Sequence, residues 1–85
     1  MTVSTAIRIK KIRSDLGISQ EEFAKCLGVT QSAICLYEGG KRLPTMRVAY
    51  KISDLARLEG VGEYEISEII PREEVLLSER EVYAA

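Results

Sequence analysis

The stretch SQEEFAKCLGVTQSAICLYE, from Ser19 to Glu38, decides the fold of this chain. Ser19 and Glu22 have the S-x-x-E spacing of a capping box, in which serine and glutamate satisfy each other's free backbone donors at a helix start. Phe23, Ala24 and Leu27 then recur at helical spacing and form one apolar stripe. Gly28 suits the left-handed turn that ends such a helix. Thr30 is placed to cap a second helix, whose Ala33, Ile34 and Tyr37 form another apolar stripe. The spacing thus predicts helices over 20–27 and 31–38. A connection this short forces them to cross steeply, and the second keeps a polar face free. Gln31, Ser32, Cys35 and Leu36 fall on that outer face as two i,i+4 pairs.

Outward from this segment the chain continues to read as helix. A first helix is expected over about 5–16, with Ile7, Ile9, Ile12 and Leu16 as apolar positions and Ile9 off the main stripe. Gly17 is placed to stop it. Gly39 to Pro44, reading GGKRLP, is a loop, because paired glycines and a proline oppose helix. Thr45 then caps a helix of about 46–58 that turns Val48, Ala49, Ile52, Leu55 and Ala56 inward. Ile66, Ile69 and Ile70 predict a brief fifth helix stopped by Pro71. The last stretch pairs Val75 with Val82 and Leu76 with Tyr83 at heptad spacing, compatible with a helix or a frayed end. The expected fold class is all-α, a compact bundle of about five helices. Residues 1–70 are expected as the domain and 71–85 as an acidic tail.

At 85 residues the chain has room for one domain with a single small core. Its 46% apolar content is distributed periodically, which argues against disorder. No apolar run approaches the ~20 residues of a membrane span, and no secretory signal opens the chain, so the expected location is the cytoplasm. With two cysteines, Cys26 and Cys35, and no histidine, a zinc site of four such ligands is excluded. The cysteines are read as small packing residues or bystander thiols, and no cofactor is expected. The net charge of −1 conceals a split. Residues 1–58 hold ten bases against five acids, a net +5, whereas the remainder holds two bases against eight glutamates, a net −6. A basic body with an acidic tail is expected where the body faces phosphates and the tail does not.

Two capped helices around a glycine turn, with an outward polar face on the second, have the shape of a helix-turn-helix DNA reader. With its helices placed, the chain resembles the lambda-repressor-like, Cro/Xre-type helix-turn-helix family over about 7–70, most sharply in LGISQEEFAKCLGVTQSAICLYEGGKRLP. The resemblance implies that helix 31–38 lies in the major groove of double-stranded DNA. The candidate base contacts are then Gln31, Ser32, Cys35 and Leu36. Gln31 can offer a bidentate amide to adenine, Ser32 can bond to a base edge or a phosphate, and Leu36 can pack on a thymine methyl. The resemblance makes Gln20 a phosphate contact, at a helix end suited to anions, and implies a brace between Gln20 and Gln31. Lys41 and Arg42 are the other candidate phosphate contacts. Arg8, Lys10 or Lys11 could act likewise, though bases on a first helix are more often only solvated. Arg13 and Glu38 match a structural ion pair of the family. Tyr37 stands where many relatives carry tryptophan, and Gly39 where relatives often have asparagine.

One such module covers about half an operator, so a homodimer on half-sites ~34 Å apart is expected. Ile66, Ile69, Ile70, Val75, Leu76 and Leu77 are its candidate contacts. The chain ends too soon for the separate oligomerisation and self-cleavage domain of longer phage repressors, which implies a small Cro-type repressor from a phage, prophage or mobile element. Two other readings compete with it. One is an antitoxin that binds a toxin partner through its tail, and the other is a protein-interaction module that reads no DNA. An enzyme is the least favoured reading, because no acid/base pair stands in a recognisable motif, and neither a small-molecule substrate nor a membrane partner is expected.

Overall fold

Ser19 and Glu22 do close a capping box in the computed structural model, which describes residues 3–70. The Ser19 hydroxyl accepts the Glu22 amide at 3.1 Å, and the Glu22 carboxylate accepts the Ser19 amide at 3.1 Å. The helix they open, α2, spans Gln20–Leu27, and α3 spans Gln31–Glu38. Between them Gly28 takes φ +71° and donates its amide to the Lys25 carbonyl, and the Val29 amide reaches back to the Ala24 carbonyl at 3.0 Å, so two of the free carbonyls at the end of α2 are satisfied within the turn. Thr30 caps α3 by accepting the Ala33 amide at 3.1 Å. At the other end of α3 the left-handed residue is Gly40, at φ +72°, while Gly39 keeps a right-handed backbone.

Three further helices complete the domain: α1 over Val3–Leu16, α4 over Met46–Leu58 and α5 over Ile66–Ile69. The described residues contain no strand. Fully buried Phe23, Leu27, Ile34 and Ile52 bring α2, α3 and α4 into one core, which Ile9 and Ile12 close from α1.

The inward face of α1 differs from the expected one. Ile9 is fully buried, whereas Ile7 is 64% exposed. The buried face runs through Thr5, Ala6, Ile9 and Ile12, at helical spacing, and Leu16 packs at its edge. Thr5 and Ala6 are too small or polar to announce a core face by hydropathy, and packing against α3 and α5 selects it.

Ile69 and Ile70 are also placed differently from the dimer contacts expected of them. Both are essentially fully buried in the chain's own core, where α5 packs on α1 and α4, so a second copy cannot reach them. Ile66 is half-buried against the same core. Val75, Leu76, Leu77 and the rest of the acidic tail lie outside the described residues. Among the described residues no helix is long and apolar enough to cross a membrane.

Candidate nucleic-acid interface

The inner face of α3 is committed to the core through Ala33, Ile34 and Tyr37. Its outer face leaves Gln31, Ser32 and Cys35 exposed on successive turns, and Leu36 half-buried. The side chains of Gln31 and Ser32 form no hydrogen bond to other described residues, so their donors and acceptors remain open.

The far end of α3 is held by a polar network. Glu38 receives Arg13 Nε at 2.6 Å on one carboxylate oxygen and Arg13 Nη2 at 3.0 Å on the other. Its side chain is only 5% exposed and that of Arg13 18%. Such a forked, charge-assisted pair fixes orientation as well as distance. The hydrogen bond to Glu38 raises the guanidinium's pKa above its ordinary value, against the opposing effect of desolvation. Arg13 Nη1 also donates to the Ile18 carbonyl at 3.0 Å, tying in the link between α1 and α2.

Gln20 joins this network and not Gln31. Its Nε2 donates to the Glu38 carboxylate at 3.1 Å. The reason is topological: Gln20 and Glu38 lie at the helix ends remote from the Gly28 turn, whereas Gln31 lies beside it. One amide N–H of Gln20 is used in this way and a second stays available. The same helix end carries exposed Glu21 and Glu22, which add negative charge where a phosphate would approach.

The cations divide by whether a carboxylate holds them. Arg8 lies 3.6 Å from Glu68 and 5.9 Å from the Tyr64 ring centroid. Lys11 is 2.7 Å from Asp15, whose hydrogen bond raises the lysine's pKa. Arg57 is 3.2 Å from Asp54. Lys41 and Arg42, in the loop after α3, are exposed and meet no carboxylate among the described residues. Cys26 and Cys35 are both exposed thiols, so neither is a packing residue. Among the described residues no group of three or more metal-ligating side chains converges.

Nothing in the residues adjacent to Lys51 marks its role. From α4 its ammonium donates to the Leu27 carbonyl at 3.2 Å, a cationic partner for the C-terminal end of α2. The one available signal is its position in a run, residues 39–53, that holds four bases and no acid.

The helix-turn-helix family profile matches residues 9–59. The chain belongs to the helix-turn-helix family. It is of the Cro/C1 type, a DNA-binding transcriptional regulator and not an enzyme. It is similar to an uncharacterised HTH-type transcriptional regulator of Archaeoglobus fulgidus, 39% identical over 73% of this chain and 91% of the relative. A second such regulator of that organism is 36% identical over 73% of this chain and 90% of its own length. A third relative, the SPbeta prophage-derived uncharacterised HTH-type transcriptional regulator YonR of Bacillus subtilis, is 31% identical over 84% of this chain and 72% of its own length. No solved structure gives a significant match.

This helix-turn-helix protein accommodates its two departures from the family pattern. Tyr37 is 5% exposed in the core, and no buried side-chain nitrogen or oxygen among the described residues lacks a partner, so its hydroxyl is not stranded. At Gly39 a Cβ would stand 3.1 Å from the Cys35 carbonyl, so any larger residue there requires the end of α3 to give slightly.

Proposed function

We propose that this regulator is a small Cro-type repressor that occupies a palindromic operator as a dimer and acts in the cytoplasm. The observation that carries this reading is the outer face of α3. It presents Gln31, Ser32 and Cys35 to solvent on a helix whose opposite end is locked through Glu38 to α1 and α2. A reading helix requires that combination of rigid mounting and open polar edge. The prophage origin of one relative supports the phage-type assignment.

In this mechanism α3 enters the major groove from its Gln31 end. Gln31 pairs with an adenine edge, Ser32 bonds to a neighbouring base or phosphate, and the exposed edges of Cys35 and Leu36 pack on thymine methyls. Gln20, Lys41 and Arg42 bind phosphates and set the register. The dimer contact falls to Val75, Leu76 and Leu77, with the exposed part of Ile66. Repression follows from occlusion of the promoter by the bound dimer.

Enrichment of bound sites from random duplex DNA tests this directly. A two-fold symmetric site with half-sites about one helical turn apart is expected. Gln31→Ala should relax preference at one base pair per half-site, with a loss of ~1–3 kcal/mol there. Enriched sites without a dyad would remove the dimer from this reading, and an unchanged preference in Gln31→Ala would remove the base contact.

A further inference from the structure

Arg47 sits in the first turn of α4, where the partial positive charge of the helix end favours an acid, and that turn contains none. Its side chain is exposed and meets no carboxylate among the described residues. Arg57, near the other end of the same helix, is paired with Asp54. The helix start does not need Arg47 as a cap, since the Thr45 hydroxyl already accepts the Val48 amide at 3.3 Å. For stability alone, then, this arginine is in the wrong place.

Two observations say what it faces. Lys51, one turn further along the same side of α4, reaches the Leu27 carbonyl at the end of α2, so this side of α4 is turned toward the helix-turn-helix unit. Arg47 also follows Lys41 and Arg42 within residues 39–53, which contain no acid that could draw any of them away from a polyanion. We propose that Arg47 is a DNA-backbone contact, extending the line of Lys41 and Arg42 from the loop onto α4. The assignment rests on the DNA-reading function proposed above. Arg47 trades a poorer helix start for an added phosphate contact and carries no sequence information.

The test measures affinity of the full-length protein for its enriched operator by fluorescence anisotropy between 50 and 200 mM salt, alongside thermal melts. Each phosphate that the protein neutralises adds about 0.9 to the slope of log affinity against log salt, so Arg47→Ala should lower that slope by about 1.8 for a dimer. Between those two salt concentrations the fall in affinity then shrinks roughly twelvefold. Base preference should not change, and Arg57→Ala should leave the slope at the wild-type value. Arg47→Glu should bind DNA more weakly still while melting about 2–6 °C higher, because the helix start now carries the charge it favours. That opposition of signs cannot come from a folding defect. A slope in Arg47→Ala equal to those of wild type and Arg57→Ala would overturn the assignment and leave the DNA reading intact. A wild-type protein that binds no duplex at any salt concentration would overturn both.

Discussion

Replacing Arg13 by methionine should be among the most damaging single changes in this domain, although Arg13 is not part of the hydrophobic core. The substitution keeps most of the side-chain length but removes the fork that holds Glu38 at 2.6 and 3.0 Å. What remains is a carboxylate 5% exposed, with only the Gln20 amide at 3.1 Å to compensate its charge. Stranding one member of a nearly buried pair costs ~3–5 kcal/mol. A small domain has a total of only about 5–10 kcal/mol, so the variant should lose roughly half its stability and melt at least about 12 °C lower. The double variant Arg13→Met, Glu38→Met leaves no stranded charge and should recover to within about 1–2 kcal/mol of wild type. Urea and thermal denaturation followed by circular dichroism at 222 nm on the two single variants and the double variant give the coupling energy. A loss below ~1 kcal/mol for Arg13→Met would show that the pair behaves like a surface pair. A double variant as unstable as the single one would refute the stranded-charge argument outright.

Other expectations are simpler. Ile9→Ala should cost ~2–5 kcal/mol and Ile7→Ala no more than ~0.5 kcal/mol, and urea midpoints in the reverse order would contradict the inward face assigned to α1. Gly28→Ala should cost about 1–2 kcal/mol from the left-handed backbone alone, because the Cβ would meet only the flexible end of Lys51 at 3.4 Å. Thermal melts settle it, and an unchanged midpoint would mean that the turn can rearrange. The raised pKa of Arg13 means that its pairing contribution is fully present below arginine's ordinary titration range and is lost only as pH rises through the still higher folded value. Since the chain has no histidine, the melting temperature should vary by less than ~3 °C between pH 6 and 9. A steep change inside that window would point to a titrating group outside this account.

The segments most legible in the sequence were those whose boundaries are written locally. Ser19 with Glu22, Gly28 and Thr30 each act within four residues, and α2 and α3 begin and end where those residues place them. The inward face of α1 was less legible because it depends on partners distant in sequence. Ile7 and Ile9 are chemically identical, and only the positions of α3 and α5 decide which is buried. The same holds for Gln20, whose partner lies 18 residues away, and for Ile69 and Ile70, which the core of the single chain takes up. In the candidate interface the outward set on α3 could be read from helical periodicity alone, except that Leu36 is half-buried. The cap that Lys51 places on Leu27 could not, because it joins two helices through one long side chain.

The network around Glu38 grips α3 at the end opposite Gln31, roughly 10 Å away along the helix at 1.5 Å per residue. Gln31, Ser32 and Cys35 therefore share no hydrogen bond with the groups that mount the helix. Exposed positions of this kind tolerate substitution within about 0.5 kcal/mol. On the function proposed above, the fold and its address are written in separate residues. If α3 reads bases as proposed, a new operator is acquired by changing the codons of these three exposed residues, with no compensating change in the scaffold, so descendants of such a protein diverge in target while remaining alike in architecture.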